Sequence, residues 1–328
     1  MVSEIFVQTT IAVIWDFDKT LIPGYMQEPL LRHYNVDPKV FWREVNSLPD
    51  YLRREGNELV AQDSIYLNHI LAYVREGVFA GLNNRLLRQL GQELEFYPGL
   101  PEFFPAVKNF VAQHPVFQKY DIKVEHYIVS TGLRQMVLGS KIAPYTDGIW
   151  GCEFVELLPP PGFLDRKELL QMDPESVTIK DIGYVIDNTT KTRAVFEINK
   201  GANKIPDIDV NTNIPKSDRR IPFENMIYIA DGPSDVPVFS LINQNGGRTY
   251  AVYKKGSKEE FSQVNELQKQ GRVHSFGEAN YEPETQTYMW IMNAVEDIGN
   301  TIVKNREWVL KNRLGHPPRH LEEQGETG

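Results

Sequence analysis

The strongest constraint on this chain is a short apolar run, residues 11–15 (IAVIW), that stops at two carboxylates, Asp16 and Asp18. So short a run, rich in β-branched residues, reads as a strand buried on both faces, the form strands take in parallel sheets. Two later runs have the same form. Residues 126–129 (HYIV) are followed by Ser130, Thr131 and Gly132, and residues 226–230 (MIYIA) by Asp231 and Gly232. Parallel α/β sheets bind ligands at the carboxyl ends of their strands, so the three termini are expected to meet in one crevice. The expected fold class is α/β, with a three-layer, Rossmann-like parallel sheet at its core.

Residues 27–95 read differently. They are rich in Leu, Arg, Glu and Gln at helical spacing, as in Leu86, Leu87, Leu90 and Leu94, and they predict a helical insertion closed by Pro98 and Gly99. Residues 101–112 predict a helix returning to the sheet. Strand-like pieces follow at residues 150–157 and 183–187, and another at 248–252. A long terminal helix is expected over residues 287–314, carrying Trp290, Ile291, Val295, Ile298, Ile302 and Val303. The polar tail, residues 316–328, is expected to be disordered.

The net charge of −9, from 35 basic and 44 acidic residues, argues against a nucleic-acid partner, which needs a concentrated basic surface. A small phosphorylated ligand needs only a few local cations. Cys152 is the single cysteine, so no intrachain disulfide can form, and a buried apolar role is expected for it. The first twenty residues lack the basic and apolar regions of a signal peptide. No stretch approaches the roughly 18 apolar residues that span a bilayer. No membrane association and a cytoplasmic location are expected.

Four polar clusters carry the chemistry. Asp16 and Asp18, two residues apart just past a strand, can turn toward one crevice, where their charges repel unless a cation or a shared proton intervenes. A hard divalent ion with oxygen ligands, such as Mg²⁺, suits them. Asp231 and Asp235 form a second acidic pair; the plainer reading is that Ser234 and Asp235 cap the following helix. Ser130, Thr131 and Gly132 offer a hydroxyl and backbone N–H groups that suit a phosphate oxygen at a helix N-terminus, or that simply cap that helix. Lys191 opens a helical stretch, and by itself reads as a surface lysine.

Taken together and in order, these residues resemble the haloacid dehalogenase (HAD) superfamily, and within it the phosphoserine phosphatase-like subgroup. The DxDx(T/V) motif matches Asp16 to Thr20, the strand-end hydroxyl matches Ser130 with Thr131 as the fallback, the lysine matches Lys191, and DGxxD matches Asp231 and Asp235. The resemblance implies a Mg²⁺-dependent phosphatase acting on a small phosphomonoester through an aspartyl-phosphate. Asp16 would be the nucleophile, Asp18 the acid and base, and Lys191 the charge-neutralising cation. Phe17, Asp18, Ser130, Thr131, Gly132 and Lys191 would hold the phosphoryl group. Asp16, Asp18 (through its carbonyl), Asp231 and Asp235 would hold Mg²⁺. The acid at Asp18 favours phosphoryl transfer over carbon–halogen cleavage.

The same resemblance makes the insertion a C1 cap over residues 25–95, with residues 1–24 and 96–315 forming a discontinuous core. The glutamate that phosphoserine phosphatases carry after the first motif has no clear counterpart, Glu28 being the nearest acid. Arg43, Arg53, Arg54, Arg75 and Arg85 read first as solvated faces of the cap helices. A phosphomutase or phosphotransferase and a non-catalytic phospho-ligand sensor are the alternative functions, and a monomer or homodimer is expected.

Overall fold

A computed structural model describes residues 7–165 and 177–314 of the chain. The tail expected to be disordered, residues 316–328, lies outside them. β1 (Thr10–Trp15) leads into four helices, α1 (Glu28–His33), α2 (Pro38–Arg54), α3 (Ile65–Arg75) and α4 (Asn84–Gly91). Then come α5 (Phe103–Gln113), α6 (Pro115–Lys119), β2 (Lys123–Leu133), α7 (Arg134–Gly139), β3 (Gly148–Val155) and β4 (Asp181–Tyr184). The chain continues through α8 (Lys191–Lys200), β5 (Met226–Ala230), α9 (Val236–Gln244), β6 (Arg248–Tyr253), α10 (Lys258–Lys269), β7 (Ser275–Glu278) and α11 (Gln286–Leu314).

The seven strands form one sheet in the order β4-β3-β2-β1-β5-β6-β7. All neighbouring pairs are parallel except the edge pair β3 and β4. β1 lies at the centre and is buried along residues 11–15, as the unbroken apolar run requires. The chain order passes outward from β1 to β2 and later from β1's other neighbour, β5, to β6. Right-handed crossovers in opposite directions place their helices on opposite faces. Accordingly α5 packs with α11, and α8 packs with α9.

The register fixes the site. Trp15 is level with Ile128 on β2 and with Ile229 on β5. Asp16 therefore emerges beside the ends of both neighbours, one step before Ser130 and Asp231. This is the strand-order switch at which open α/β sheets bind ligands.

The structure corrects one reading. β2 does not end before Ser130; it runs on through Thr131 and Gly132 to Leu133, with its pairing to β3 irregular between Val129 and Leu133. The hydroxyl cluster is thus part of an extended strand rather than a helix cap, and α7 starts after it with no side-chain cap. β4 runs antiparallel, and β7, a short and partly polar strand, had no counterpart in the sequence reading.

Four helices lie between β1 and α5, within the residues read as a helical insertion. Its α4 meets α7 backbone to backbone. A Cβ at Gly91 would lie 2.1 Å from the Met136 carbonyl oxygen, and one at Gly139 only 1.9 Å from that of Arg88. Any side chain at either position would force the helices apart. Among the described residues, no helix is long and apolar enough to cross a membrane.

Candidate active site

Asp16 leaves β1 with its backbone N–H still donating to Ile229 O at 2.9 Å, so the neighbouring strand sets its position. The chain then turns tightly. Phe17 O accepts from the amides of Thr20 and Leu21, and Lys19 takes a left-handed φ of 57°. A lysine pays for that conformation, and such strain is tolerated where the surroundings over-determine the backbone. The turn brings Thr20 Oγ1 back to donate to Asp16 Oδ2 at 3.2 Å. It also directs Asp18 toward Met26, whose N–H donates to Asp18 Oδ1 at 3.0 Å.

Lys191 is not a surface residue. It is 1% exposed, and its Nζ donates to Asp16 Oδ1 at 2.8 Å and to Asp235 Oδ1 at 2.6 Å. Its place at the head of α8 is set by Asp187, whose carboxylate accepts the N–H groups of Thr189 and Thr190 and so starts the helix. Asp235 occupies the N-cap position of α9, yet its side chain caps nothing. It turns inward and receives Lys191, the Tyr228 hydroxyl at 2.5 Å and the Ser234 hydroxyl at 2.9 Å. The plain capping reading of Asp235 therefore fails, for the carboxylate has stronger partners inside.

Asp16, Asp231 and Asp235 each present an oxygen, all within 4.8 Å of one another. Three carboxylates and one ammonium leave excess negative charge in a buried place. The protonation equilibria register it. Burial pushes the Asp16 carboxyl up to about 6 against the pull of Lys191, and Asp235 adds to the rise. Burial and then the Asp16 charge push Asp18 up to about 8. Burial, Asp16 and Asp235 hold Asp231 well above the usual carboxylate range. Burial works against the charge on Lys191, but Asp16 and Asp235 outweigh it and raise its pKa. An all-oxygen donor set with unneutralised charge fits a small hard cation, so the residues present suit Mg²⁺.

Ser130 stands at the carboxyl end of β2, and its Oγ accepts from Gly132 N–H at 3.0 Å. The Thr131 carbonyl accepts the Tyr66 hydroxyl of α3 at 2.7 Å and the Cys152 thiol at 3.3 Å. Cys152 is buried, as its apolar reading expected. The structure thus gathers Asp16, Lys191, Asp231 and Asp235 into one cluster. Asp18 lies beside it, and Ser130 and Gly132 line the neighbouring strand end. Glu28 is exposed on α1, beside Gly24, and Arg43, Arg53, Arg54, Arg75 and Arg85 are all exposed, as the plain reading had them. Sequence reasoning missed Tyr228, which lies on β5 among apolar residues, and it missed Met26 and Tyr66, which bring the insertion against the strand ends.

No family model matches the sequence. A protein of Borreliella burgdorferi, described as uncharacterized, is 40% identical over 291 residues, which make up 88% of this chain and 97% of that protein. Among solved structures, a HAD family hydrolase from Salmonella enterica serovar Typhi superposes with a TM-score of 0.46 at 13% identity, covering 82% of this chain and 66% of that one. A phosphoserine phosphatase, solved as a phospho-aspartyl intermediate analogue, gives 0.45 at 14% identity, covering 82% and 93%. A probable phosphoserine phosphatase from Vibrio cholerae gives 0.48 at 11%, covering 90% and 68%. The chain belongs to one family with the Borreliella burgdorferi protein, and its motifs come together at the ends of β1, β2 and β5, where its resemblance to the haloacid dehalogenase superfamily expects them.

Proposed function

We propose that this protein is a Mg²⁺-dependent phosphatase that hydrolyses a small phosphomonoester, with Asp16 as nucleophile. The observation that carries the reading is the buried contact of Lys191 with both Asp16 and Asp235, beside Asp231. A carboxylate attacking a phosphate dianion needs local positive charge, and this cluster is built around it. Asp16, Asp231 and Asp235 would hold Mg²⁺, with the Asp18 carbonyl completing the set. When bound, the ion neutralises phosphoryl charge and favours in-line attack.

The chain's own groups supply the rest. Thr20 and Lys191 orient the Asp16 carboxylate, one on each oxygen. Asp16 forms a covalent acyl-phosphate as the leaving oxygen departs. Asp18, kept protonated near neutral pH by burial and by Asp16, gives that oxygen its proton and then takes one from the attacking water. Lys191, with Ser130 Oγ and the backbone of Phe17 and Gly132, faces the transferred group. The insertion, through Tyr66, covers the strand ends and excludes bulk water while the phosphoenzyme forms.

The test is release of inorganic phosphate from a generic aryl phosphate with Mg²⁺. The protein should release it. Asp16→Asn should lower turnover by at least about a thousandfold with the fold intact by circular dichroism. Undiminished turnover in that variant would refute the assignment of the nucleophile.

A further inference from the structure

The corner beside Ser130 is already filled. Leu133, the last residue of β2, donates its N–H to the thioether of Met26 at 3.0 Å. Met26 is fully buried, and its terminal methyl and sulfur lie 2.3 and 2.5 Å from where a Cβ on Gly132 would stand. Gly132 has no left-handed φ, so conformational freedom does not explain the glycine. Space does: without a side chain at residue 132, the end of Met26 fits against the strand. A thioether is a weak acceptor, a poor permanent partner for a buried amide. The same residue's N–H holds Asp18 Oδ1 at 3.0 Å. Met26 therefore joins the acid of the first motif to the strand end of the second.

We infer that Met26 is a displaceable plug, occupying the corner that an oxygen of the phosphoryl group must enter. This rests on the phosphatase reading and adds the device that regulates entry. An anionic oxygen is a far stronger acceptor for Leu133 N–H than sulfur, so phosphate expels the side chain where a neutral ligand does not. Asp18 is held by the Met26 backbone N–H rather than by the thioether, so the side chain can leave while the acid stays in place. The open form is a minor state in the absence of ligand, and the apparent affinity for phosphate is lowered by its small population.

The experiment uses the full chain with Mg²⁺, methionines labelled with ¹³C at the methyl group, and inorganic phosphate as probe. The Met26 resonance is the one lost in Met26→Leu, a variant that keeps the apolar bulk and lacks the sulfur acceptor. It should shift as phosphate saturates the site, followed independently by ³¹P signals. Met26→Ala should bind phosphate about tenfold more tightly, since the plug no longer competes. Met26→Leu should bind it more tightly than the wild type by a smaller factor. Gly132→Ala, whose methyl would take the corner, should weaken binding whether or not Met26 is present. A Met26 methyl unmoved at phosphate saturation would overturn the plug, as would equal phosphate affinity in the wild type and both Met26 variants. If aryl phosphate is hydrolysed but Met26 does not move, the plug falls and the phosphatase reading stands. If phosphate expels Met26 but no ester is hydrolysed, the plug stands and the catalytic reading falls.

Discussion

His126 offers a quantitative check on how the floor of the site is held. It lies on β2, fully buried, and it clamps the residue that precedes Asp16. Trp15 Nε1 donates to His126 Nδ1 at 3.2 Å, and His126 Nε2 faces Phe104 O at 3.2 Å. Both contacts are satisfied only by the neutral ring protonated on Nε2, because a proton on Nδ1 would confront the indole N–H. Burial, with the charge of Lys108, lowers its pKa from 6.5 to about 3. Below pH 6.5 the unfolded chain takes up a proton that the folded one refuses, so stability falls as the solution is acidified. The loss from this group is roughly 1 kcal/mol at pH 5.5 and roughly 3 kcal/mol at pH 4.5, and it levels off near pH 3. His126→Gln keeps a donor for Phe104 O and removes the titration. Urea unfolding of both proteins between pH 7 and 4.5 isolates the effect, because all other titrating groups are shared. The variant should be less stable at pH 7 and should lose less on acidification. Parallel stability curves would refute the neutral, buried histidine.

Other outcomes follow from the site. Asp18→Asn should reduce turnover by about a hundredfold or more while leaving the fold unchanged, with the greatest loss for substrates whose leaving groups are poor; steady-state rates on two esters of different leaving-group pKa check this. Lys191→Ala should lower activity strongly and leave Asp16 and Asp235 unneutralised, and calorimetry should still detect Mg²⁺ binding. A chelator should abolish phosphate release, and Mg²⁺ should restore it. Gly139→Ala, which drives a methyl into the Arg88 carbonyl, should cost about 1–3 kcal/mol, read as a lower urea midpoint.

Much of this architecture was legible because its chemistry sits where apolar runs stop. Residues 11–15 and 226–230 announce their strands by composition alone, and the carboxylates that follow can hardly be anywhere but at the strand ends. The terminal helix was equally plain, since its buried apolar residues repeat at helical spacing from Ile291 to Val303 against α5, α6 and the sheet. Lys191 was different. Its partners lie 175 and 44 residues away, so nothing local separates it from a solvated lysine; only the order of motifs marked it. Ser130 to Gly132 misled because small polar residues suggest a loop, whereas their backbone stays extended as β2 runs past the end of β1 to Leu133. Tyr228 reads as one more apolar strand residue until its hydroxyl is seen to reach Asp235. Met26 carries no signal at all: a methionine in a turn is commonplace, and its meaning arises from a glycine over a hundred residues downstream.

The paired glycines of α4 and α7 determine how the end of the segment inserted after β1 is joined to the rest of the molecule. Where two main chains touch, no layer of side chains remains to slide or re-pack, so that seam behaves as a weld. α7 in turn packs on β3, so α4 is anchored to the sheet through main-chain contact, with no side chain between the two helices to yield.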